Sequence, residues 1–176
     1  RFLHAHSPRR DGPLVDVGLG SIARQNASLE LFGSEQGERI HYGRLEQASG
    51  GTLFLDELAD MDLEAQAKLA SALENGSFLR IGGKESVRVN VRVVTATHRD
   101  LEQVVALERF REDLYYQLNV VPIKLPPLRE HIEDVPELLN YYVSYFVDQE
   151  NLTYRHFTLA AQNRLRNYNW PGNIRE

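Results

Sequence analysis

Gly50-Gly-Thr-Leu-Phe-Leu-Asp-Glu57 is a short apolar run that opens on two glycines and closes on two acids. Thr52 to Leu55 fits a strand buried on both faces of a parallel sheet. Ligands of such sheets bind beyond the carboxyl ends of the strands, where Asp56 and Glu57 fall. Neighbouring side chains point differently there, so one carboxylate can face a magnesium ion while the other polarises a water. Magnesium takes one or two carboxylates together with phosphate oxygens. Acids favouring the dipole at the N terminus of a following helix account for the same pair.

Outward from this strand, Val89 to Thr97 is valine-rich and reads as a second one, with a shorter strand at Leu14–Val17. Apolar spacing predicts helices over Ser21–Phe32, Asp60–Glu74 and Glu102–Leu118. Ser77–Val87 has hairpin character with its turn at Gly82-Gly83. Val120–Leu125 reads as a further strand, closed by Pro126-Pro127. Beyond it the pattern turns helical over Asp134–Gln149 and Thr158–Tyr168. Trp170-Pro-Gly172 then breaks the helix, and Asn173–Glu176 opens another. Strands alternating with helices predict an α/β fold with a parallel sheet over residues 1–128, followed by a helical subdomain over 129–176.

The 176 residues are 42% hydrophobic and 26% charged, a globular composition. Without cysteine, disulfide scaffolds and Cys-type zinc sites are excluded. No apolar run approaches the roughly 18 residues of a membrane span, and no signal-peptide pattern opens the chain, so a cytoplasmic protein without membrane contact is expected. A net charge of −5 argues against a nucleic-acid grip within the segment. Only Lys68, Lys84 and Lys124 are lysines among the 20 basic residues. Arginine suits fixed pairing with carboxylate or phosphate.

Three further groups are candidates. Thr97 and His98, at the end of the valine-rich strand, can reach a phosphate or its attacking water, or can simply cap the next turn. His4 and His6, two apart on a helix, face different directions and make a poor metal pair. Arg111, in Phe110-Arg-Glu-Asp113, reads by itself as part of a solvated helical face.

Glu30-Leu-Phe-Gly33, Gly50–Glu57, Phe110-Arg-Glu-Asp-Leu-Tyr-Tyr116, Leu125-Pro-Pro-Leu-Arg-Glu130 and Trp170-Pro-Gly-Asn-Ile-Arg-Glu176 follow one another in order. Together they resemble the central AAA+ domain of NtrC-type bacterial enhancer-binding proteins and response regulators, the activators of sigma-54 RNA polymerase. The resemblance implies a P-loop-type AAA+ sheet with a C-terminal helical lid. It also implies a ring-shaped homo-oligomer that holds ATP and Mg2+ between subunits, and DNA contact through a separate domain. Carried over residue by residue, it makes Asp56 the magnesium-supporting acid and Glu57 the water-orienting one. Thr97 and His98 match the sensor I position, Arg175 the sensor II arginine, and Phe78–Val89 the hairpin before sensor I. Arg111 matches the first arginine finger, which would reach a neighbour's nucleotide.

The sequence departs from that pattern in four places. It holds no Gly-rich Walker A loop with its lysine and opens in what reads as the helix after it. Truncation before the start and an incomplete lid are therefore expected, and the chain alone should bind ATP poorly. The loop of the form Gly-Ala-Phe-Thr-Gly-Ala that contacts sigma-54 is missing, because Gly37 runs directly into Glu38-Arg-Ile-His-Tyr-Gly-Arg44. Gln117 replaces the second arginine finger. Gly18 stands where an asparagine usually holds the catalytic glutamate.

The loop deletion resembles the NtrX branch. The expectation is an ATP-binding, self-assembling regulator core with weak or absent hydrolysis and doubtful contact with the sigma-54 holoenzyme. Two alternatives remain open: a non-enzymatic module sensing a regulatory nucleotide such as cyclic di-GMP through Arg1, Arg9 and Arg10, and a conventional sigma-54-dependent ATPase.

Overall fold

The computed structural model describes residues 1–176, which divide into two compact units, Arg1–Pro122 and Ile123–Glu176. The first unit runs through α1 (Phe2–Ala5), β1 (Leu14–Gly18), α2 (Ala27–Phe32), β2 (Gly33–Gln36), β3 (Arg39–Tyr42), α3 (Arg44–Gln47) and β4 (Thr52–Asp56). It continues with α4 (Leu63–Asn75), β5 (Ser77–Leu79), β6 (Ser86–Arg88), β7 (Arg92–Thr95), α5 (Leu101–Ala106) and α6 (Glu112–Leu118). No helix is long and apolar enough to cross a membrane.

β4 is the centre of a three-stranded parallel sheet of order β1-β4-β7, as its apolar run predicts. Leu53 and Leu55 on one face are fully buried, with Val17, Leu31, Leu45, Leu58 and Leu69 in the same cluster. Burial of each such leucine stabilises the fold by about 1.5–3 kcal/mol. On the other face Thr52 is buried and its hydroxyl is bonded to His4 Nδ1 at 3.0 Å, while Phe54 is half-buried. His4 is thereby a packing residue, and His6 stacks on Phe2 instead of meeting it.

Gly51 lets β4 start hard against the chain before β1. A Cβ there would lie 1.9 Å from the Pro13 carbonyl oxygen, which accepts the Thr52 amide at 2.8 Å. Because that contact is backbone on both sides, neither partner can yield. Gly51→Ala is expected to lower stability by about 3 kcal/mol, the upper end for overpacking. An unchanged urea midpoint would contradict this close approach.

α4 begins on Asp62, whose side chain accepts the Ala65 amide at 2.8 Å, and ends on Gly76 at φ 63. Asp100 likewise caps α5. The helix expected over 102–118 is broken in two, and the break has a physical cause. The Glu108 amide bonds to the Val105 carbonyl and the Arg109 amide to the Val104 carbonyl, with Glu108 at φ 55. This is a Schellman ending with glutamate in the left-handed position that glycine usually takes. Phe110 then dips into the core at 2% exposure.

Other boundaries also moved. The helix expected from Ser21 begins in two 3-10 turns and becomes α-helical only at Ala27. The strand expected from Val89 pairs only over Arg92–Thr95. Val120–Leu125, expected as a strand, pairs with no strand of this chain, and Val120, Val121, Ile123 and Leu125 are exposed.

A feature absent from the sequence reading is the antiparallel hairpin β2–β3, in register from Gly33↔Tyr42 to Gln36↔Arg39. Its two-residue turn has Gly37 at φ 62 in the first position, where a II′ turn takes glycine. The hairpin docks on the second one, β5–β6, through Glu35–Ile81 and Ile81–Gly33 backbone bonds of 2.9 and 3.1 Å. Arg80 locks the junction, reaching Glu35 at 3.0 Å and Glu46 at 2.7 Å. Hydrogen bonding to these carboxylates, Glu46 first, raises its pKa.

The second unit holds α7 (Val135–Glu150) and α8 (Leu159–Arg166), close to the predicted helices. Thr158 caps α8 by accepting the Ala161 amide, and Asn151 ends α7 at φ 51. Asn173 Oδ1 accepts the Leu128 amide at 3.1 Å, tying the end of this unit to its beginning. Asn173–Arg175 forms a 3-10 turn.

Candidate functional site at the carboxyl edge of the sheet

Asp56 is the last residue of β4, and its exposed carboxylate accepts the Glu57 amide at 3.1 Å. Glu57 sits in the left-handed region at φ 56, ψ 48. Such a conformation costs about 1–2 kcal/mol for a residue with a Cβ. It is held by bonds across the edge: the Ala96 carbonyl accepts the Leu58 amide, and the Leu55 carbonyl accepts the Ala96 amide. The turn swings Glu57 towards the end of β7, where its Oε2 lies 2.7 Å from His98 Nδ1. An ionised carboxylate can only accept, so Nδ1 carries the proton in this pair. Glu57 is 31% exposed and His98 68%, leaving the pair open to a ligand.

Three of the residues singled out in the sequence thus meet at one edge, Asp56, Glu57 and His98, with Thr97 beside them. Thr97 Oγ1 accepts the Arg99 amide at 3.1 Å, the capping role open to a strand end. Gly18 stands opposite Asp56 in the register of β1 and β4. A Cβ at Gly18 would meet nothing nearer than Ser21 Oγ at 3.5 Å, so a side chain is missing there and is not excluded.

Arg111 lies apart from that edge within the first unit. It caps α6 and is bonded in bidentate fashion to Asp113, Nε to Oδ1 at 3.0 Å and Nη2 to Oδ2 at 2.7 Å. The bond from Arg111 holds the Asp113 carboxyl below the ordinary carboxylate range, and Asp113 in turn raises the guanidinium. A depressed carboxyl keeps its contribution at neutral pH and loses it only as pH falls through the lowered value. Gln117 is half-buried on α6, and its Oε1 is buried without a hydrogen-bond partner. Arg175 belongs to the second unit, exposed, and lines a shallow depression there with Tyr142 and Ile174.

Among the arginines considered for a regulatory nucleotide, Arg9 is already engaged, donating from Nη1 to the Asn90 carbonyl at 2.8 Å and from Nη2 to the Asn90 side chain. Arg10 lies 3.8 Å from Asp11 on the surface, and Arg1 is exposed.

Two further features escaped the sequence reading. Asp60 accepts Arg99 at 2.7 Å, clamping the turn after Glu57 to the loop after β7. Gln66 is fully buried on α4 and bonds to the backbone on either side of Phe110. Its signal was a polar residue among Ala65, Leu69 and Ala70 on the apolar stripe of a helix.

The parallel sheet, the acidic edge of its central strand and the helical unit that follows define an AAA+ domain. The family of sigma-54 interaction domains matches residues 1–124 and the AAA+ ATPase lid domain matches residues 129–176, so the chain belongs to the sigma-54 interaction family. It is 45% identical over 181 residues to the DNA-binding transcriptional regulator NtrC of Azospirillum brasilense, over all of this chain and 37% of that protein. With the nitrogen assimilation regulatory protein NtrX of Azorhizobium caulinodans it shares 44% over 178 residues, 100% of this chain and 39% of that one. NtrX from Brucella abortus, solved in complex with ADP, is 39% identical with a TM-score of 0.93, covering 98% of this chain and 38% of that chain. The same protein in complex with ATP gives the same values. The chain therefore spans less than two fifths of the length of these relatives.

Proposed function

We propose that this chain is the AAA+ core of an NtrX-like bacterial transcriptional regulator, one that binds ATP with Mg2+, hydrolyses it weakly and self-associates. The observation that carries the reading is the Asp56–Glu57–His98 edge on the central strand. The ADP- and ATP-bound structures of the similar NtrX support nucleotide as its ligand. The chain holds no Walker A loop, so the activity is assigned to the full-length protein that carries this domain. That protein is cytoplasmic and binds DNA through another domain.

No group of three or more His, Asp or Glu side chains gathers to hold a metal. Asp56 fits magnesium in the other way that ion is bound, one carboxylate together with phosphate oxygens. The bound Mg-nucleotide supplies the scissile phosphoanhydride and the ion that shields its charge. Glu57 orients the attacking water, and His98 holds that carboxylate toward β7. Thr97 and His98 would border the phosphates of a nucleotide held at that edge, and Arg175, on the second unit, is the residue the family resemblance assigns to nucleotide sensing. Arg111, by its match to the first arginine finger, is assigned to the nucleotide of the neighbouring subunit, for which its guanidinium must leave the exposed pair it makes with Asp113 in its own chain.

The two-residue turn of β2–β3, which closes at Gly37 and carries no extended loop, supports the reading that sigma-54 contact is lost. Contact with RNA polymerase, in this reading, is made through other surfaces. Weak hydrolysis follows from Gln117, which brings no charge to a developing phosphate.

Steady-state hydrolysis by the full-length protein over a range of concentrations, beside its Gln117→Arg variant, tests this reading. Turnover per subunit that rises with concentration, and rises by ~10-fold or more with Gln117→Arg, is expected. Hydrolysis absent from both proteins would overturn it and favour a nucleotide-sensing module.

A further inference from the structure

Gln66 is the one polar side chain of the first unit's core that is completely shielded from solvent and whose bonds all go to backbone outside its own helix. Its Nε2 donates to the Met61 carbonyl at 2.9 Å and to the Arg109 carbonyl at 3.2 Å, and its Oε1 accepts the Arg111 amide at 2.8 Å. Both amide hydrogens are therefore used, and the oxygen is bonded. Met61 ends the short turn that begins just after Glu57. Arg109 and Arg111 flank Phe110, itself buried at the start of α6.

One rigid amide plane thus bridges two loops that no backbone ladder joins. One loop leaves the acidic edge; the other presents Arg111. Backbone bonds hold the two ends of that loop, the Arg109 amide to the Val104 carbonyl and the Tyr115 amide to the Arg111 carbonyl, while the Arg109 carbonyl and Arg111 amide on either side of Phe110 are held by Gln66. The preceding residues make that loop easy to mistrack, because the chain has just left a Schellman ending with Glu108 at φ 55. Buried donors and acceptors without partners are strongly disfavoured, so Gln66 selects one path for the loop.

We infer that Gln66 is a positioning residue: it sets the direction in which Arg111 is offered to a neighbouring subunit and ties that direction to the turn after Glu57. The inference rests on the proposed action of Arg111 on a neighbour's nucleotide. Displacement of a reacting group by about 1 Å can cost on the order of 10²-fold in rate. Movement at the Met61 end is passed through the same side chain to the Arg109–Arg111 backbone, without any contact between Gln66 and nucleotide.

The test uses the full-length protein and Gln66→Met, which keeps an unbranched side chain of similar length and removes all three bonds. Turnover is expected to fall on the order of 10²-fold with KM for ATP unchanged. Mixing separates a finger defect from a structural one. Gln66→Met subunits should regain turnover when mixed with Glu57→Gln subunits, which still supply a placed Arg111. They should gain nothing from Arg111→Ala subunits. Wild-type turnover in Gln66→Met, or rescue by Arg111→Ala and not by Glu57→Gln, would overturn the inference.

Amide exchange at Arg111 decides the matter if the wild type turns over no ATP, in which case the proposed function is what fails. A slow Arg111 amide in the wild type that becomes fast in Gln66→Met upholds the bridge; equal exchange in both overturns it. If Gln66→Met does not fold, the wild-type amide alone is read: slow exchange upholds the bridge and loop-like exchange overturns it.

Discussion

Arg111→Ala in the full-length protein is expected to reduce turnover per subunit by on the order of 10³–10⁵, the range for an arginine supplied to a phosphoryl transfer in trans. Nucleotide affinity should change little, because Arg111 makes no bond to Asp56, Glu57 or His98 of its own subunit. The fold should also survive. The Arg111–Asp113 pair is exposed, and exposed ion pairs contribute little to stability. Phe110 and Leu114, which pack the same turn into the core, are untouched. The assay is single-turnover phosphate release on whichever of the wild type or Gln117→Arg is faster. A loss smaller than about tenfold, ~1.4 kcal/mol of barrier, would remove Arg111 from the reaction.

Glu57→Gln is expected to lower turnover by about 10²–10⁴, the usual contribution of a positioned general base. The substitution keeps the shape of the side chain and an oxygen for the His98 Nδ1 proton, so the edge should stay assembled. Binding of ATP should therefore persist, read by fluorescence of a labelled nucleotide at equilibrium. The left-handed backbone at Glu57 makes the result specific to the side chain, since glutamine adopts that conformation no more easily than glutamate. Loss of binding together with turnover would mean that Glu57 holds the ligand and does not act on water.

The parts of this site that sequence revealed are those with a strong local signal. The run Thr52–Leu55, bounded by glycines and acids, fits a buried strand, and it is the central one. Asp62, Asp100 and Thr158 end their helices through side-chain caps that are visible as residue types. Glu108 and Glu57 gave no such warning. Each takes a left-handed backbone that residue type would assign to glycine; the local Schellman bonds hold Glu108 there, and bonds across the sheet edge hold Glu57. Val120–Leu125 differs in the opposite direction: its composition suits a strand, but a strand needs a partner, and no strand of this chain pairs with it. The β2–β3 hairpin was hidden because β3, Arg39 to Tyr42, is exposed on both faces, and β2, Gly33-Ser-Glu-Gln36, has no apolar side chain to alternate.

The candidate site followed the same division. Asp56 and Glu57 were legible because a strand's end announces its edge. The 2.7 Å contact between Glu57 and His98 spans 41 positions and depends on the turn that Ala96 holds, which no local pattern encodes. Gln66 is the clearest case of long-range contacts marked by a short signal. One polar residue on an apolar stripe marks a bridge between two loops.

Shared sites between subunits are the centre of this account, and mixing Glu57→Gln with Arg111→Ala full-length protein tests them most directly. Neither variant alone should turn over ATP, whereas the mixture should recover activity at interfaces where an intact Arg111 meets an intact Glu57. Silence of the mixture at every ratio, beside a wild type that hydrolyses ATP, would contradict it.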